Sequence, residues 1–222
     1  MKRHIVFDLD GTLVDSLPGI AEGVNRSLRA LGLAELSPAT IRTMIGSGAA
    51  NLCGKALGYE DAAHTPPKEL EAMHGHFRKE YPTCWQGDYT VPYPGIGEML
   101  TQLSTAGAKL AVLSNKPHDV TEPMVRALFP HIPFSCILGY TGEFPRKPAP
   151  DSLLHIAAQW SVEPQEVTLV GDSLFDAATA RNAGCHPVLV AWGYADIVEL
   201  AAQGIPLFGS VDELQHYLSY HS

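Results

Sequence analysis

Only four of the 222 residues are cysteine (Cys53, Cys84, Cys136 and Cys185), and none stands in a C-x-x-C pair. That argues against a zinc knuckle or a disulfide framework and suits reduced thiols in a cytosol. Positive charge is scarce as well: 15 Lys+Arg face 24 Asp+Glu, a net of −9. Neither a nucleic acid nor a membrane surface is an expected partner. An anionic ligand would need a metal or a few placed cations. No apolar stretch approaches the roughly 20 residues of a membrane span, and no signal-peptide h-region follows Met1-Lys2-Arg3. The ten histidines form no H-x-x-x-H ligand pair, and His118 reads as a loop residue. Internal repeats and low-complexity segments are also missing. The expectation is a cytoplasmic chain, monomeric or homodimeric, acting on a small molecule.

What is present is a core-forming composition, 45% hydrophobic. Short apolar runs that read as buried strands fall at Ile5–Phe7, Leu110–Leu113, Cys136–Leu138, Val167–Val170 and Val188–Ala191. From residue 93 they alternate with helical patterns at Ile96–Ala106, Val120–Phe129, Ser152–Trp160 and Leu174–Ala183. Gly107 and Gly184 stand where helix C-caps belong. Such alternation predicts an α/β fold, an open parallel sheet flanked by helices. Residues 17 to about 85 differ, with four successive helical patterns (Pro18–Leu31, Pro38–Ile45, Ala49–Leu57, Pro66–Tyr81) and no convincing strand. They predict a helical module at 16–89 inserted into a core made of 1–15 and 90–222.

The first strand ends in "FDLDGT", two aspartates one residue apart. Asp10-Gly11 between apolar runs is a two-residue hairpin signal. An EF-hand loop is excluded, because aligning Gly11 with its sixth position puts Val6 and Leu17 where oxygen ligands belong. A receiver-like switch would carry its phosphoacceptor aspartate after a central strand, where this chain has Ser114-Asn115-Lys116. In an open α/β sheet, ligands bind at the carboxyl ends of strands. Those ends carry Asp8 and Asp10, then Ser114-Asn115, then Lys147-Pro148, then Gly171-Asp172-Ser173 with Asp176. Each has an ordinary reading: a helix cap for Ser114-Asn115 or Asp172, a solvated side chain for Lys147 or Asp176. Four such coincidences at successive strand ends point to a site.

These residues resemble the haloacid dehalogenase-type phosphohydrolase superfamily. Its four motifs match Asp8-Leu9-Asp10-Gly11-Thr12, Ser114 in "LSNKP", Lys147 in "KPAP", and Gly171 to Asp176 in "GDSLFD". The resemblance spans the chain and implies a Rossmann-like core with a small all-helical cap. Members that dehalogenate lack the second aspartate of the first motif, so Asp10 favours phosphoester chemistry. Within the superfamily the chain is most similar to phosphoglycolate phosphatases, through "DSLPGI", "RTMIGSGAANL", "YPGI", "SNKP" and "VGDSLFDAATARNAGC". Related nucleotidases and pyrophosphatases share several of these phrases.

The resemblance implies a Mg²⁺-dependent phosphatase. Asp8 would be the nucleophile forming an aspartyl phosphate, and Asp10 the general acid and then base. Repulsion between the two carboxylates would raise one pKa and suit the acid. Mg²⁺ would be held by Asp8, the Asp10 carbonyl and Asp172, with Asp176 as ligand or outer partner. Thr12, Ser114, Asn115 and Lys147 would serve the phosphoryl group, with Lys147 neutralising it or holding Asp8. Arg42 in the cap is the candidate for a substrate carboxylate, with a solvated helix arginine as its ordinary reading. A sugar phosphomutase uses the same core, but Thr12 leans towards hydrolysis.

Overall fold

The apolar run after Arg3 forms a strand, β1 (His4–Phe7), whose last three residues are fully buried. The computed structural model describes residues 3–220. Met1, Lys2 and the last two residues, assigned by sequence to the ends of the core segment, lie outside the described residues. After β1 come β2 (Val14–Asp15), α1 (Leu17–Ala30), α2 (Pro38–Arg42), α3 (Ala49–Ala56) and α4 (Pro67–Cys84). Next are β3 (Val91–Pro92), α5 (Ile96–Thr105), β4 (Lys109–Pro117), α6 (His118–Leu128), β5 (Phe134–Tyr140) and α7 (Asp151–Trp160). The chain closes with β6 (Val167–Gly171), α8 (Leu174–Ala183), β7 (His186–Val190), α9 (Ile197–Ala201), β8 (Leu207–Phe208) and α10 (Val211–Tyr220). It divides into two compact units, Met1–Val14 with Pro92–Ser222, and Asp15–Val91.

The first unit holds a six-stranded sheet in the order β5-β4-β1-β6-β7-β8, every pair parallel. This is the open α/β architecture that the alternation predicts. β1 is central and pairs with β4 on one side and β6 on the other. Strands buried on both faces read as continuous apolar runs, which is why β1, β4, β6 and β7 were visible; β5, half-buried, showed by its run Cys136–Leu138. The two-residue β8 and the helices α9 and α10 were not visible. On one face Val6, Ala111, Leu113 and Leu169 pack against Leu153, Ile156 and Trp160 of α7. Helix α5 buries Ile96, Met99, Leu100 and Leu103, each contributing about 1.5–3 kcal/mol by area.

The second unit is helical. α1 presents Ile20, Val24 and Leu28 on one face, and α4 presents Met73, Phe77, Tyr81 and Cys84. Gly23 lets the two approach: a Cβ there would stand 3.0 Å from Tyr81 and 3.1 Å from Phe77. Ser37 caps α2, accepting the Thr40 N–H at 3.1 Å. Helix α2 stops at Arg42, short of Ile45, and the chain then takes a left-handed turn at Gly46 (φ 117°). Helix α4 runs past Tyr81 to Cys84 with Pro82 in its last turn. Among the described residues no helix is long and apolar enough to cross a membrane.

Candidate active site

Parallel register brings the polar strand ends together. Phe7 lies opposite Val112 on β4 and Val170 on β6, so the residues beyond them leave the sheet side by side. The Asp8 N–H still donates to the Val170 carbonyl at 2.9 Å. Beyond it the chain coils instead of turning back. The Leu9 carbonyl accepts the N–H groups of Thr12, Leu13 and Val14 at 3.2, 3.0 and 3.1 Å, and Gly11 takes φ 82°. The hairpin expected at Asp10-Gly11 is therefore corrected: Asp10 and Val14 form a parallel bridge, not an antiparallel ladder. One carbonyl gathers three donors, which two-residue hairpin geometry does not allow.

Asp8 is buried. Lys147, from the loop after β5, places Nζ 2.8 Å from Asp8 Oδ1 and 2.6 Å from Asp176 Oδ1, and donates to the Leu113 carbonyl at 3.2 Å. The contact with Asp8 is one of charge, off the hydrogen-bond direction, so Asp8 Oδ1 is buried without a hydrogen-bond donor. The lysine's side chain is 3% exposed, which rules out the solvated reading.

Asp172 accepts the Tyr194 N–H at 2.7 Å and the Thr12 hydroxyl at 3.3 Å. It is not a helix cap; Ser173 holds that place in α8. Asp176 completes the capping box, its Oδ2 accepting the Ser173 N–H at 3.2 Å and the Ser173 hydroxyl at 2.5 Å. Three glycines make room for these acids. A Cβ on Gly11 or Gly193 would overlap the Asp172 side chain, and one on Gly171 would overlap Asp176. Trp192, whose indole N–H donates to the Thr12 carbonyl at 3.1 Å, ties the first loop to the segment after β7.

The end of β4 carries three buried polar residues in a row, and the pleat sends them to opposite sides. The Ser114 hydroxyl accepts the Lys116 N–H at 3.3 Å, and the cap of α6 is Pro117. Asn115 accepts the Lys147 N–H at 2.8 Å and donates to the Lys147 carbonyl at 3.1 Å. Its side-chain amide thus holds the backbone of Lys147. Likewise the Thr12 hydroxyl is directed to Asp172. Lys116, passed over in the sequence, donates to both Asp10 oxygens at 2.8 and 3.0 Å. Its signal was there: a lysine two residues beyond Ser114 on the same side of a strand. Arg42 lies in the helical unit, exposed, at the last residue of α2. His118, expected in a loop, opens α6 and accepts the Gly139 N–H at 3.3 Å.

Burial dominates the electrostatics. It pushes Asp8 up to about 7, opposed by Lys147 and aided by the charges of Asp176 and Asp10. Burial, then Asp8 and Asp176, raises Asp172 well above the carboxylate range against the pull of the Tyr194 N–H. Repulsion between Asp8 and Asp10 was expected to raise one pKa; at Asp8 it contributes, but behind desolvation. Lys147 suffers burial too, but Asp176 and Asp8 outweigh it and hold the lysine above its ordinary range.

Asp8, Asp172 and Asp176 each offer a ligand oxygen, all within 4.8 Å of one another. With Asp10 they make four carboxylates against two ammonium groups, Lys116 and Lys147. Such a donor set, all oxygen and doubly negative when ionised, fits a hard divalent cation. The donorless Asp8 Oδ1 fits it as well.

A family model, haloacid dehalogenase-like hydrolase, matches residues 5–190. The chain belongs to that family. It is 36% identical over 200 residues to the phosphoglycolate phosphatase of Chromobacterium violaceum, spanning 90% of each chain. Against that of Escherichia coli it is 31% identical over 230 residues, spanning 96% of this chain and 90% of the other. Its structure superposes on that of a predicted phosphoglycolate phosphatase from Haemophilus somnus with a TM-score of 0.85 at 29% identity, covering 96% and 97% of the two chains. As a haloacid dehalogenase-like hydrolase the chain is an enzyme, and the acid cluster at its strand ends lies within the matched region.

Proposed function

We propose that this hydrolase is a Mg²⁺-dependent phosphatase of a small organic phosphate monoester, 2-phosphoglycolate first, working in the cytoplasm through an aspartyl-phosphate intermediate. The observation that carries the reading is the pairing of each first-loop aspartate with its own buried lysine, Asp8 with Lys147 and Asp10 with Lys116. The substrate rests on the relatives' names alone.

Asp8 attacks phosphorus, and the bond to the leaving oxygen breaks as Asp10 gives that oxygen its proton. Asp10 then takes a proton from water as the water attacks phosphorus, and the bond to Asp8 breaks to release inorganic phosphate. Lys147 keeps Asp8 oriented and offsets its charge. The Ser114 hydroxyl, which is buried and accepts the Lys116 N–H, would serve the phosphoryl oxygens. Asn115 fixes Lys147 by its backbone, and Thr12 and the Tyr194 N–H fix Asp172. Mg²⁺ would be held by Asp8, the Asp10 carbonyl and Asp172, with Asp176 beside them, and would neutralise the charge of the transferring group. Arg42 remains our candidate for the carboxylate of the substrate.

Phosphate release from a panel of 2-phosphoglycolate, nucleoside monophosphates, pyrophosphate and sugar phosphates tests this. The highest kcat/KM is expected with 2-phosphoglycolate. A higher value for a nucleotide or pyrophosphate would reassign the substrate, and conversion of β-glucose 1-phosphate to the 6-phosphate would make the enzyme a mutase.

A further inference from the structure

Lys116 has no part in the scheme above beyond its pairing, yet the structure spends much on it. Its side chain is 5% exposed, and a buried ammonium costs several kcal/mol unless it is paired. The pair it makes is two-pronged, 2.8 and 3.0 Å to the two oxygens of Asp10. Asp10 stands in the coil gathered under the Leu9 carbonyl, whereas Lys116 stands in β4, the strand beside β1. The ammonium thus fixes a loop carboxylate to a strand of the sheet.

The neighbouring residue makes that strand a rigid reference. Asn115 clasps the backbone of Lys147 from both sides, and Lys147 in turn meets Asp8. The end of β4 therefore registers both first-loop aspartates, Asp10 directly and Asp8 through Lys147. A proton donor must lie within hydrogen-bond reach of the oxygen it protonates, and a misplacement of about 1 Å costs roughly a hundredfold.

We propose that Lys116 is a positioning residue that holds the Asp10 carboxyl group in the orientation from which it protonates the leaving oxygen. The proposal rests on the reading of Asp10 as the general acid. The proton passes from Asp10 to the leaving oxygen as the bond from that oxygen to phosphorus breaks. Lys116 neither gives nor takes a proton.

The test compares kcat/KM for an alkyl phosphate, 2-phosphoglycolate, with that for 4-nitrophenyl phosphate, in Mg²⁺-loaded enzyme. This parameter reports the steps through departure of the leaving group, and 4-nitrophenolate departs without needing a proton. Lys116→Met is expected to lose about a hundredfold on the alkyl ester and at least about tenfold less on the aryl ester. Equal losses on both esters would overturn the proposal, provided Asp10→Asn itself shows the selective loss. If Asp10→Asn loses equally on both, it is the acid reading that fails. Because Lys116→Met takes a buried ammonium away from Asp10 and so loads the fold as well as the site, the pair Asp10→Asn and Asp10→Asn/Lys116→Met is measured on the aryl ester too. A residue that acts only through Asp10 adds no further loss in the double variant. A further loss of tenfold there overturns the proposal whether or not the single variant folds.

Discussion

Removing the ammonium of Lys147 with Lys147→Met keeps most of the side chain's volume and deletes its charge. In the folded core that ammonium sits 2.8 Å from Asp8 and 2.6 Å from Asp176, donates to the Leu113 carbonyl, and is 3% exposed. Taking one partner from a buried charge pair costs about 3–5 kcal/mol, because the other charge stays buried. The Leu113 carbonyl also loses a donor, so the upper half of that range is expected. Against a total stability of about 5–15 kcal/mol this is a large fraction. Urea unfolding in the presence of a chelator, followed by the fluorescence of the buried Trp160 and the half-buried Trp192, measures it. Lys147→Met/Asp176→Asn, which removes a carboxylate charge together with the lysine, is expected to be less destabilised than the single variant. A cost below about 1 kcal/mol, the range of an exposed pair, would refute the electrostatic account. Full additivity in the double variant would refute it too.

Asp8→Asn is expected to abolish turnover of every ester, since the amide cannot attack phosphorus; near-wild-type phosphate release would sink the covalent mechanism. Asp8 is raised to about 7 when folded, against 3.8 for the free side chain. Its contribution to the stability of metal-free protein is therefore fully present below about pH 4 and lost as pH rises through about 7. Melting curves in chelator at pH 5 and pH 8 should show this loss, and Asp8→Asn should show less of it. Added Mg²⁺ should raise the melting temperature more at pH 8 than at pH 5, because protons compete for the same oxygens. An equal rise at both would argue against carboxylate ligation. Gly193→Ala places a methyl where the Asp172 side chain lies. Mg²⁺ affinity, read by titration calorimetry, is expected to fall about 10–100-fold, the cost usual for disturbing a ligand's support; unchanged affinity would show that Asp172 can move freely.

Much of the sheet was legible because parallel strands buried on both faces are short apolar runs between helical periods. The site was legible to the extent that it lies at strand ends. What escaped depends on contacts between distant residues. Asp10-Gly11 carries the local chemistry of a hairpin turn, but the Leu9 carbonyl and the packing of Asp172 on Gly11 decide its shape. Asn115 looked like a phosphate ligand or a helix cap because its partner, the Lys147 backbone, lies 32 residues away. Lys116 was passed over because a lone lysine is usually solvated; only the run of three polar residues continuing a buried strand marks it. Ser173-x-x-Asp176 is a readable capping box that went unread, and the cap's place it gives to Ser173 was offered to Asp172 instead. The strand β8 is two residues long, too short for any period to show.

The sheet has its centre at the start of the chain. Strand β1 is made well before either of its neighbours, whose pairing with it begins at Lys109 and Val167. Until β6 has been made, Asp8 has no Asp172 beside it and one edge of its strand is bare. A growing or truncated polypeptide thus carries Asp8 long before it carries the acids that gather around it. Such non-local pairing is slow to form and exposes apolar edges meanwhile. In return, the acid cluster of Asp8, Asp172 and Asp176 exists only once β6 and α8 have been made and paired, so a fragment ending before Val167 lacks it.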